Sequence, residues 1–116
     1  MKGSGGMGDL GGLVKQAQKQ AVEIQKRIEQ TRQELKETVV EGSAGGGMVR
    51  ALVNCQQEVL KIEIDPKVVD PADVEFLQEM ILAAVRQGMK KAKEKSEEAM
   101  NKATGGLPLG GLAGLF

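Results

Sequence analysis

An α+β fold is predicted from three observations. Two long segments, 9–37 and 71–103, repeat their apolar residues at steps of three and four. The stretch between them alternates at period two. Gly45-Gly46-Gly47 and the segment 54–58 break that alternation into three pieces. The predicted order is helix, three-stranded antiparallel meander, helix (αβββα).

In the first helix, Leu10, Leu13, Val14, Ala17, Ala21, Ile24, Ile28 and Leu35 fall on one face. Asp9 is the expected cap, because a carboxylate accepts from the free N–H groups of a first turn. The Gly-rich start, 1–8, is expected to be flexible. A helix over 13–37 is roughly 37 Å long at ~1.5 Å per residue. That exceeds the width of three strands, so one end should project. The N-terminal end, where the stripe thins to Ala17 and Ala21, is the expected one.

The strands are predicted at 38–44, 48–54 and 58–65. Val49, Ala51, Val53 and Cys55 alternate with Met48, Arg50, Leu52 and Asn54, and Leu60, Ile62 and Ile64 alternate with Val59, Lys61, Glu63 and Asp65. Pro66 has no N–H to donate and ends the third strand. Asp70 then caps the last helix, with Pro71 at its first position and Asp73 and Glu75 at the positive end of its dipole. Asp65, Asp70 and Asp73 are therefore structural rather than metal-binding.

The last helix carries Phe76, Leu77, Met80, Ile81 and Val85 first, then Gly88, Ala92, Ala99 and Ala103. The large residues are expected on the sheet. The small ones are expected to meet the first helix in an antiparallel arm. A domain over 9–104 results, followed by an apolar, Gly-rich and flexible tail at 105–116.

The chain has 116 residues, with 16 Lys plus Arg against 16 Asp plus Glu. Zero net charge argues against a global polycation but permits local patches. Lys15, Lys19 and Lys26 form one stripe opposite the apolar face of the first helix. Arg86, Lys90, Lys91, Lys93 and Lys95 stand against Glu94 alone, beyond the reach of a terminal dipole. Each set suits either phosphate contact or a plain solvated face. With no Trp or Tyr, bases have no aromatic platform to stack on.

With no His, no Ser-His or Cys-His pair exists, and the lone Cys55 has no base beside it. Gly45-Gly46-Gly47 is followed by neither Lys-Ser nor Lys-Thr, so it is no phosphate loop. These features predict a non-enzyme with no cofactor, no metal and no small-molecule substrate. No apolar run is long enough for a membrane span, and the unpaired cysteine suits a reducing cytoplasm. A three-stranded sheet is a thin core for a chain with so much helix, which predicts a homodimer.

Several motifs also carry a likeness. KQAQKQ at 15–20, VEGSAGGGMV at 40–49, VLKIEIDPKVVDPADVEFLQEMILAAV at 59–85 and KEKSEEAMNKATGGL at 93–107 resemble the YbaB/EbfC family of nucleoid-associated DNA-binding proteins. The resemblance implies αβββα subunits in an intertwined, tweezers-like homodimer whose projecting helices engage duplex DNA. It further implies a bacterial protein of the cytoplasm and nucleoid that organises chromosomal DNA and takes part in gene regulation. The positions matching the family's DNA contacts are Lys15, Lys19, Lys26, Arg86, Lys90, Lys91, Lys93 and Lys95. A coiled-coil-like interaction scaffold that does not touch DNA is the alternative, favoured by the zero net charge and the apolar tail.

Overall fold

The computed structural model describes residues 2–105, with side chains from Leu10 onward. Helix α1 spans Lys2–Glu37, strands β1, β2 and β3 span Val39–Ala44, Val49–Asn54 and Val59–Ile64, and helix α2 spans Val74–Ala103. A single 3-10 turn, Pro66–Val68, separates β3 from α2. The sheet is an antiparallel meander in the order β1-β2-β3, as predicted.

The first turn of the meander uses three consecutive left-handed glycines, Gly45, Gly46 and Gly47, at φ 63°, 67° and 89°. A residue with a Cβ is strained in that conformation, so the triad is required by the turn. The second turn is held by Asn54, a buried side chain with every polar group satisfied. Its Oδ1 accepts from the N–H groups of Gln56 and Glu58, both at 3.0 Å, and its Nδ2 donates to Glu58 Oε1 at 2.9 Å.

The predicted inward face of β2 is fully enclosed. Val49, Ala51 and Val53 have no accessible surface, and Cys55, just past the strand, has 1%. Burial of each valine contributes about 2 kcal/mol. Strand β3 departs from strict alternation. A register shift between Leu52 and Val53 pairs Val53 with Val59, and Leu60 stays 53% exposed while Ile62 and Ile64 are half-buried. The irregularity interrupts the pleat, so Leu60 leaves the face its parity assigns.

Of the small residues of α2 expected to meet the first helix, Gly88 and Ala92 belong to the sheet instead, while Ala99 and Ala103 do lie beside α1. Ala84, Gly88 and Ala92 are buried, and Ala84 and Ala92 join Met80 and the β2 valines in the core. A Cβ on Gly42 would collide with the Ala84 carbonyl oxygen and the Gly88 amide nitrogen, and one on Gly88 would come within 2.8 Å of Val53 Cγ2. Small side chains let the helix axis approach the strands. Phe76, expected on the sheet, is 52% exposed because it lies before that close approach.

Two caps also differ from expectation. Helix α2 starts at Val74 with Asp73 as its cap, Oδ1 accepting from Phe76 N–H at 3.2 Å. Asp70 forms a separate turn in which Oδ1 accepts from Ala72 N–H at 2.9 Å. Two carboxylates one turn apart compete for the role, and the later one sits directly on the helical backbone. Helix α1 runs through Asp9 and its backbone is helical from Lys2, where a flexible start was expected. Propagation adds a hydrogen bond per residue and outweighs a cap preference. Met1 and the predicted tail beyond Gly105 lie outside the described residues.

Candidate nucleic-acid interface

The molecule measures 88 × 23 × 18 Å, with a Cα radius of gyration of 22.9 Å. A compact domain of this length would have about 13 Å, so a large part stands off the body. That part is α1. Its last turn is tied to the β2–β3 hairpin. Leu35 O accepts from Cys55 N–H at 3.0 Å, and Arg32 O accepts from Gln56 Nε2 at 2.9 Å. Thr38 Oγ1 donates to Glu34 O at 2.7 Å and closes the helix end.

From that anchor α1 runs back along the C-terminal half of α2. Ile24, Ile28, Thr31 and Leu35 lose exposure, all four lying within about 60° of each other at ~100° per residue. Arg27, Gln30, Thr31 and Glu34 of α1 line one open groove with Ala99, Lys102 and Ala103 of α2. Helix α2 ends there, and residues 10–23 of α1 are all exposed. Among the described residues the arm's outer part is therefore α1 alone. Ala17 and Ala21 do not meet α2, whereas Ala99 and Ala103 line the groove beside Arg27 and Thr31.

Lys15, Lys19 and Lys26 lie within about 40° of each other, on the side opposite Ile24, Ile28 and Leu35. All three are exposed and face away from α2. They span roughly 16 Å of helix.

The second basic group lies elsewhere than expected. Gly88 and Ala92 fix the segment 86–95 over the sheet, so Arg86, Lys90 and Lys93 stand on the body and not on the arm. These three fall within about 60° on the outward face of α2, opposite Gly88. Lys91 differs from them. Its Nζ donates to Glu41 O at 3.0 Å, while Gln87 Oε1, one turn earlier, accepts from Ser43 N–H at 2.7 Å. The two side chains cover the free edge of β1. Lys95 is exposed one turn beyond Lys91. The structure thus holds two separate basic rows, one on each helix.

The far face of the sheet is charged but self-neutralised. Arg50 contacts Glu63 at 2.7 Å and Glu41 at 3.5 Å, and Lys61 contacts Glu63 at 3.4 Å. Arg27 and Lys102 escaped the sequence analysis as neighbours. They meet only through the register of two helices far apart in the chain. Lys102 is also paired with Glu98 at 3.4 Å. Among the described residues no group of His, Cys, Asp and Glu is disposed to hold a metal ion. No helix among them is long and apolar enough to cross a membrane.

The sequence profile of the YbaB/EbfC DNA-binding family matches residues 7–107. The chain belongs to that family. A protein of Acetivibrio thermocellus named as nucleoid-associated is 46% identical over 112 residues, which covers 97% of each chain. One of Ruminiclostridium cellulolyticum with the same name is 44% identical over 114 residues, 98% of this chain and 94% of that one. The crystal structure of an uncharacterized Helicobacter pylori protein superposes with a TM-score of 0.58 at 27% identity, covering 77% of this chain and 86% of that one. This member of the YbaB/EbfC family therefore carries one row of exposed cations on each of the two helices that flank its three-stranded sheet.

Proposed function

We propose that this YbaB/EbfC family member binds duplex DNA as a homodimer, without enzymatic activity, and organises chromosomal DNA in the bacterial nucleoid with a role in gene regulation. The observation that carries this reading is the lysine stripe Lys15, Lys19 and Lys26 on a helix that stands clear of the body. Family membership and the names of the relatives support DNA as the ligand. Arg86, Lys90 and Lys93 form the second contact row, while Lys91 and Lys95 add charge on another side of α2, toward the β1 edge.

Contacts of this kind are lysine and arginine to phosphate, and they read little sequence. Zero net charge and the glutamates among the cations favour modest, salt-sensitive binding. The dimer is supported by apolar surface on the single chain. Val59, Leu60, Val74 and Phe76 are 45%, 53%, 50% and 52% exposed. Among the described residues the outer edge of β3 has no strand beside it, whereas the edge of β1 is covered by Gln87 and Lys91. Two copies joined through their sheets on the β3 side would hold two arms out with space between them.

The decisive experiment is a gel shift of a short duplex at about 50 mM salt, where phosphate contacts are strong, using the wild-type chain and the triple variant Lys15→Glu/Lys19→Glu/Lys26→Glu. A loss of at least about tenfold in affinity, with the circular dichroism of the helices retained, is expected. Equal binding by a folded variant overturns the role of the arm. Absence of any shift, with proteins retained from nuclease-treated lysate, replaces DNA binding with the scaffold reading.

A further inference from the structure

The apolar stripe of α1 does not stop where α2 stops. Leu10, Leu13, Ala17 and Ala21 continue the line of Ile24, Ile28 and Leu35, with Val14 at its margin. Leu10 and Leu13 are each 61% exposed and Val14 is 55% exposed. A lone helix of that length is marginal in water without a packed face. The chain itself supplies a candidate cover. Helix α2 ends at Ala103 beside Arg27 and Thr31 of α1, where the uncovered part of the stripe begins. Gly105 follows in the left-handed region at φ 66°, which turns the chain away from the helix axis.

The remaining segment, 106–116, contains Leu107, Leu109, Leu112, Leu115 and Phe116 and no charged residue. Extended, it reaches about 36 Å. From Arg27 to Leu10 along α1 is roughly 26 Å. Length, starting point and composition match the stripe. We propose that the C-terminal segment 106–116 docks on Leu10, Leu13, Val14, Ala17 and Ala21 of its own chain and takes the place of α2 along the outer arm. The docking surface lies opposite Lys15, Lys19 and Lys26, so those cations stay free. The inference goes beyond the DNA-binding reading and does not depend on it.

The test uses the full chain and the triple variant Leu112→Asp/Leu115→Asp/Phe116→Asp, followed by amide hydrogen exchange. Residues 10–23 should exchange at least about tenfold faster in the variant, as a marginal helix loses its packed face. Residues 84–92 serve as the folding control and should not change. Equal exchange of 10–23 in both chains overturns the proposal, because the stripe is then covered by something else or needs no cover. A second measurement assigns the tail to its chain. Oxidation of an Ala17→Cys/Leu112→Cys chain should give an intrachain disulfide on the monomer band in denaturing gels. A product only on the dimer band, or no product, overturns docking within the chain. Neither readout involves DNA, so failure here leaves the gel-shift result untouched.

Discussion

Gly42 and Gly88 are the residues on which the position of α2 depends. A Cβ on Gly42 would meet backbone atoms of α2 that cannot rotate away, and one on Gly88 would meet the Val53 side chain of β2. Gly42→Ala should cost roughly 1–3 kcal/mol, as overpacking does, and denaturant unfolding should show the midpoint fall with little change in slope. Asn54→Ala removes three part-buried hydrogen bonds from the turn and leaves two backbone N–H groups without their partner. The expected loss is about 1–3 kcal/mol, measurable in the same experiment. Lys91 and Lys90 are neighbours with different duties. Lys91 is held by a β1 carbonyl and Lys90 has no such contact among the described residues. If both serve DNA, Lys90→Gln should lower the salt dependence of binding by about one counterion's worth. Lys91→Gln should also open the β1 edge, which faster amide exchange of β1 would report.

At the scale of elements, the alternation of Val49, Ala51 and Val53 and the glycine triad were enough to place the meander. Helix α1 was likewise legible from its steps of three and four. What the sequence left hidden was depth of packing. Ala and Gly on a helix face signal a close neighbour, but not whether that neighbour is a helix or a sheet. Gly88 looked like a helix–helix contact and is a helix–sheet one, because Gly42 on β1 completes it. That single assignment moved Arg86, Lys90 and Lys93 from the arm to the body. Local signals also cannot rank two carboxylates in succession, so the cap expected at Asp70 falls on Asp73. The two basic rows can be separated experimentally. Charge reversal of Lys15, Lys19 and Lys26 and of Arg86, Lys90 and Lys93 should each weaken binding, and the combined variant should lose both contributions. Near-additive losses in a double-mutant comparison are expected, since the rows share no partner.

For the whole molecule, elongation is the property to measure. One chain already has a radius of gyration of 22.9 Å and a long axis of 88 Å. Sedimentation should give twice the chain mass of 12.3 kDa, and scattering should show a maximum dimension no shorter than the single chain's. Phe76→Asp together with Leu60→Asp should shift the population to single chains if the β3 side is the joint. A variant that stays dimeric places the joint elsewhere.

The anchoring of α1 has one more mechanical result. Residues 24–35 are clamped between the hairpin and α2, and the remainder is a cantilever rooted near Ile24. A bend of about 10° at that root shifts Lys15, ~14 Å out, by roughly 2 Å, and the first residues of the helix, ~33 Å out, by about 6 Å. Lys26 sits at the root and scarcely moves. If two such arms grip DNA as proposed, the grip is stiff near the body and compliant toward the tip, which accommodates polyanions of somewhat different girth without repacking the core.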